Sequence, residues 1–207
     1  MKTKSTTSQK RAREIMGYNG YNFFGVEEAI QHFGVNPTCQ QTLVLSEIPF
    51  SEEVLQETKE NHILVAIFPL SILEIHRKMD SKLFYDQSWY NKESFAKKHG
   101  EASWQLIRKT PVNNSTSKNW EEQRALLGKD NKVPTAQAMI YTIASHYLAT
   151  GEHLFSHIYV RTSSVLSNSC RVVVGYFVSS VGLYGCSYFD DFRWFCLGVS
   201  SARKWEF

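Results

Sequence analysis

Apolar residues along this chain come in short blocks, first with helical and later with strand-like spacing. Residues 24–34 predict a helix, with Glu27 and Glu28 in the first turn and Gly34 as a stop before Pro37. Ser51 suits the N-cap of a second helix over residues 51–59, where Glu52 and Glu53 again meet the positive helix end. Residues 62–68 are dominated by Ile, Leu, Val and Phe and predict a buried strand. Residues 70–75 fit either a strand or a short helix. A further short helix is expected over residues 91–98, then a strand over 104–112 ending at the Pro111 turn. Ser117 or a neighbour should cap a helix reaching about residue 127. Residues 135–150 form the clearest element. Ala136, Met139, Ile140, Ile143 and Tyr147 recur at helical spacing, and Gly151 ends the run.

From Phe155 onward that periodicity disappears. Val, Tyr, Phe and Ser dominate, and Gly175, Gly182, Gly185 and Gly198 punctuate short runs, as in strands joined by turns. The expected class is therefore α+β. Three segments are expected: a basic flexible tail over residues 1–19, an N-terminal α+β region over 20–95, and a C-terminal domain over 96–207. The middle segment can equally belong to the last. Lys2, Lys4, Lys10, Arg11 and Arg13, set among Ser and Thr, suggest the tail.

Composition narrows function by exclusion. With 43% hydrophobic and 14% aromatic residues, the chain can bury a substantial core. A net charge of +3 falls short of the concentrated field of a dedicated nucleic-acid binder, so no specific nucleic-acid partner is expected. The longest apolar stretch, residues 63–73, is broken by Pro69 and Ser71, which argues against membrane insertion. The N-terminus lacks the apolar core of a signal peptide, so a cytoplasmic or virion-associated location is expected. Cys39, Cys170, Cys186 and Cys196 form neither a CxxC pair nor a zinc spacing and should be free thiols. His153 and His157 follow Gly151 and have no third ligand. Asp190 and Asp191 lack the further oxygens a calcium site needs, and are expected to cap turns. No metal and no cofactor is expected.

The segment 166–196 holds more large, sticky side chains than strand edges and loops ordinarily carry. Even-numbered positions from Tyr176 onward share this character, although period two places residues on one face only within a strand. Composition allows two outcomes. The residues are core, or they form an exposed patch rich in Tyr and Ser, like an antibody paratope.

Residues 159–165 (YVRTSSV), Arg171-Val172, Val174-Gly175, Gly182-Leu183, Asp190-Asp191, Arg193 and residues 197–204 read as a fixed frame around scattered changeable slots. This arrangement resembles the C-terminal repeats of variable proteins served by diversity-generating retroelements in viruses and microbes. There, a reverse transcriptase copies a template with errors at adenines. The resemblance is strongest over residues 159–204 and extends more loosely upstream through 134–154. It implies a C-type-lectin-like domain, with helices beside a small antiparallel sheet that displays the variable residues. It implies a binding protein, not an enzyme, whose partner is a protein or cell-surface ligand. Carried over by position, the ligand-binding slots are Leu166, Cys170, Val173, Tyr176, Val178, Ser180, Tyr184, Cys186, Ser187, Tyr188, Phe192, Trp194, Phe195 and Cys196. Their contents are reachable by adenine changes in Asn codons, except at Trp194, which needs a different template codon or does not belong to the set. The enzyme alternative, a formylglycine-generating type in the same fold superfamily, would cast Cys186 and Cys196 as its cysteine pair.

Overall fold

In the computed structural model, residues 6–17, 22–79, 83–85 and 88–205 are described. Among them the chain forms eight α-helices and eleven strands in a mixed α+β arrangement. A five-stranded sheet has the order β2 (Phe23–Phe24), β4 (His62–Ile67), β5 (Ser103–Arg108), β11 (Ala202–Arg203), β6 (Asn131–Lys132). A four-stranded sheet has the order β10 (Leu197–Val199), β7 (Tyr159–Val165), β8 (Arg171–Val178), β9 (Gly182–Tyr188). A two-stranded ribbon joins β1 (Thr7–Ser8) to β3 (Glu47–Ile48).

Local signals account for most helix ends. Gly34 closes α2 (Val26–Phe33) in the left-handed conformation. Ser51 caps α4 (Glu52–Thr58), and Thr135 caps α8 (Ala136–Thr150). Residues 70–75, open between strand and helix, resolve as α5 (Ile72–Lys78), whose cap Ser71 forms a reciprocal capping box with Glu74. The cap of α7 (Trp120–Ala125) is Asn119 rather than Ser117, which adopts a left-handed backbone. The expected helix over 91–98 divides into a 3-10 turn, Trp89–Lys92, and α6 (Ser94–Lys97).

Two expectations are corrected. The basic tail expected over 1–19 contains β1 and α1 (Gln9–Met16), on which Ala12, Ile15 and Met16 are buried. Those three apolar residues share one helical face despite the surrounding charge. Arg13 pairs with Glu28 and lies over the Phe23 ring, while Arg11 meets Glu14 and Glu52. Positions 1–5 and 18–19 of that segment lie outside the described residues. The single apolar stripe expected on α8 is also too narrow, since every residue from Ala136 to His146 is buried. The helix packs against β2 and β4 of one sheet and β7 and β8 of the other, so little of its circumference meets water.

Of the two alternatives for residues 20–95, a separate region or part of the same domain as 96–207, the strand pairing supports the second. Strand β4 pairs with β5 across six positions, from His62↔Arg108 to Ile67↔Ser103. Strand β11, near the C-terminus, inserts between β5 and β6. One hydrophobic core runs from Ala12 through Phe24, Leu64 and Met139 to Val174 and Ala202.

Candidate functional site

The four-stranded sheet has one face on this core and one away from it. Val160, Val172, Val174 and Leu183 point inward against the main cluster. Opposed residues of an antiparallel pair share a face. The registers Arg161↔Val173↔Cys186 and Tyr159↔Gly175↔Tyr184 therefore define the outer face. There Tyr159, Val173 and Leu197 form a second, smaller cluster, against which Tyr184, Cys186, Tyr188 and Trp194 pack while half-exposed. Tyr159 is its hub: its ring stacks on Tyr176 at 5.3 Å and on Trp194 at 5.8 Å, and meets Tyr184 edge-on at 5.8 Å. Tyr188 stacks on Phe192 at 4.5 Å, and Phe195 projects beyond Trp194 with 71% of its surface exposed.

A bulge makes this face possible. Register shifts between Gly175 and Val178, where Gly175 has φ 135° and Tyr176 φ 50°. Val173 and Tyr176 thereby reach the same face despite opposite parity, while Phe177 turns into the core against Tyr147 and His153. Gly175 has no substitute here, because a Cβ would lie 2.3 Å from the Ile158 carbonyl oxygen.

The fourteen expected slots separate into three groups. Tyr176, Tyr184, Cys186, Tyr188, Phe192, Trp194 and Phe195 form the outer face, with Cys196 half-exposed at its edge. Val178 and Ser180 lie at the β8–β9 hairpin end. Of the rest, Val173 and Cys170 require correction as direct contact positions, whereas Leu166 and Ser187 are half-exposed and lie off the outer face. Val173 is fully buried because it sits mid-strand on β8 beneath the rings. Cys170 is buried, and Leu166 packs against the main core. Ser187 opposes Val172 and so belongs to the inner face.

The loop over residues 189–196 is held by groups that the sequence reading left in the frame or overlooked. Arg161 is fully buried; its Nη1 donates to the Lys118 carbonyl and to Gln123 Oε1, and its Nη2 to the Phe189 and Phe192 carbonyls. Burial lowers its pKa to about 10. Gln123, also fully buried on α7, donates onward to the Ser115 and Leu197 carbonyls. Arg171 grips Asp190 through two bonds of 2.8 and 2.9 Å, and its guanidinium stacks 3.6 Å from the centre of the Trp120 ring. Asp190 is therefore an ion-pair partner rather than the expected turn cap, and its carbonyl accepts the Trp120 N–H. Arg193 pairs with Glu122.

Tyr85 and His157 widen the face, their rings lying 4.7 Å from Tyr184 and 6.3 Å from Tyr176. Neither carries a sequence signal, and Tyr159 could be assigned to this face only once α8 had claimed the other. Burial pushes the Cys186 thiol up to about 11, which keeps it protonated at neutral pH, and pushes Tyr188 up to about 12. All four cysteines are unpaired. Among the described residues, no group of three His, Cys, Asp or Glu side chains could hold a metal, and no helix is long and apolar enough to cross a membrane. The arrangement offers aromatic contact area, hydroxyls and thiols on a stiff support. No protein-family model, no curated protein and no solved structure matches this chain.

Proposed function

We propose that the chain is a ligand-binding protein of C-type-lectin-like type, presenting its outer aromatic face as a retroelement-diversified surface for a protein or cell-surface ligand. One observation carries this proposal: half-exposed aromatic residues sit on a backbone whose geometry is set by other residues. Gly175, Arg161, Arg171 and Gln123 hold the strands and the loop through backbone and ion-pair contacts. The outward side chains of Tyr176, Phe192 and Phe195 carry little of that burden, so their identity can change at small cost in stability. Tyr, Trp and Phe supply large contact area at low conformational entropy, and commonly dominate binding energy where they cluster.

The test is a displayed library randomised at Tyr176, Tyr184, Tyr188, Phe192 and Phe195. Most members should melt cooperatively, and selection against a panel of surface proteins should enrich target-specific sequences. A parallel library at Val173, Cys170 and Leu166 should yield few folded members. Equal intolerance in the two libraries would refute a variable surface. Sequencing the native locus addresses the retroelement directly: it should hold a near-copy of the coding region for residues 166–196, differing at adenines, beside a reverse-transcriptase gene.

A further inference from the structure

A cleft of about 520 Å³ opens at the N-terminus of α8, between α6 and the end of β7. Phe95 and Val165 are its apolar walls, and Lys98, Thr135 and Gln137 supply polar groups. A second cleft of about 950 Å³ adjoins it, since Lys98, His99, Gly100, Thr135 and Gln137 line both. This second cleft runs past Trp205 to Leu43 and Val44 of α3 (Cys39–Val44), which are 74% and 51% exposed. Gln137 stands where the two meet. It is only 8% exposed and its Nε2 donates to the Leu70 carbonyl at 2.9 Å, but among the described residues its Oε1 has no donor. Gly100 packs against that amide, for a Cβ there would lie 2.9 Å from Oε1.

The helix end is equally incomplete. Ser164 Oγ accepts the Ala136 N–H at 3.0 Å, and Thr135 Oγ1 accepts the Ala138 N–H at 3.1 Å. Between them the Gln137 N–H has no acceptor among the described residues. Lys98 is exposed and forms no ion pair among them, while His99 is taken up by Glu74 at 2.8 Å. The carboxylates of the second cleft, Glu47 and Glu101, do not line the first. A helix N-terminus beside an ammonium favours an anion, and the buried Gln137 Oε1 calls for a donor next to that anion. A free phosphate or carboxylate ion meets only the first need. The end of a peptide meets both, because its last amide N–H lies beside its carboxylate. Its final side chain can rest on Phe95 and Val165, and the residues before it can follow the second cleft along Trp205 and Leu43.

We propose that the paired clefts at the start of α8 bind the C-terminal carboxylate of an extended peptide, independently of the aromatic face. The experiment is calorimetric titration of the full chain with N-acetylated tetrapeptides ending in Leu, Val or Phe, each as the free acid and as the C-terminal amide. At least one free acid should bind saturably, and its amide roughly tenfold or more weaker, because hydrogen bonds to a charged group are the strong ones. Lys98→Glu should weaken the acid by roughly fivefold, as attraction between exposed charges becomes repulsion. Lys97→Glu should not, since Lys97 lines neither cleft. Gly100→Ala, at a backbone position without positive φ, should fold, displace the Gln137 amide and weaken the acid too. Leu43→Ser, at an exposed position, should weaken the tetrapeptide but not the corresponding N-acetyl amino acid. Absence of saturable binding, equal affinity for acid and amide, or an N-acetyl amino acid binding as tightly as its tetrapeptide would overturn the proposal.

Discussion

Replacing Arg161 with Met is the most direct test of how the outer aromatic face is held. Methionine keeps an unbranched apolar stem but removes every donor. The four acceptors left behind are the Lys118, Phe189 and Phe192 carbonyls and Gln123 Oε1. Gln123 has no exposure to solvent, so its oxygen is orphaned at a cost of about 1–3 kcal/mol. The carbonyls lie nearer the surface and can recover water, so each adds only about 0.5–1.5 kcal/mol. Against this, the variant no longer buries a guanidinium, whose depressed pKa shows that burial disfavours its charge. The expected net loss is about 3 kcal/mol, measured by urea denaturation. A typical domain has roughly 5–15 kcal/mol of stability, so the variant should fold, with its damage concentrated in the loop over 189–196. The amides of Ser117 and Leu197, both of which donate to the Trp194 carbonyl, should exchange faster with solvent deuterium. Arg161→Lys should recover little, because a single ammonium cannot span two pairs of acceptors. A loss below about 1 kcal/mol with unchanged exchange at these amides would show that the loop holds itself, and the buttressing role would fail.

Three further outcomes are expected. Gly175→Ala should cost about 3–5 kcal/mol in a denaturant melt, from backbone strain at φ 135° together with displacement of the Ile158 carbonyl; a small effect would mean that the bulge can flatten. His62 has a folded pKa of about 4 against an ordinary 6.5, so on acidification the unfolded chain takes up the proton first. Its contribution is complete above about pH 6.5 and is lost as pH falls to 4, roughly 3 kcal/mol in all, a slope that should be missing from His62→Gln. A thiol reagent near neutral pH should modify exposed Cys39 first and Cys186 slowly, since the latter thiol is held protonated; fast labelling of Cys186, read by peptide mass spectrometry, would contradict its burial.

Much of the secondary structure was legible because its determinants are local. Ser51, Thr135, Gly34 and Gly151 mark helix ends by satisfying backbone groups within one turn, and such signals act whatever surrounds them. The blocks at 62–68 and 104–112 similarly announced β4 and β5 through their own composition. Of the positions singled out in segment 166–196, Tyr176, Tyr184, Phe192 and Phe195 lie on the outer face.

What sequence could not decide is which side of each element meets what. The basic run around Arg11 and Arg13 has the composition of a solvated tail, and it becomes an ordered helix by burying Ala12, Ile15 and Met16 in the core while Arg13 and Arg11 meet Glu28 and Glu52, distant in sequence. Period-two reasoning would have separated Val173 from Tyr176, yet the bulge at Gly175 puts both on one face and buries only the first. Tyr159 and Arg161 read as frame, and their roles as hub and clamp depend on α8 closing the opposite face of the sheet. The pairing of His62 with Arg108 joins residues from halves of the chain that composition would have divided. Local propensity is a property of a few neighbouring residues, whereas burial, register and charge pairing belong to the whole packed chain, and for this protein they determine which side chains stand on the outer face of the four-stranded sheet.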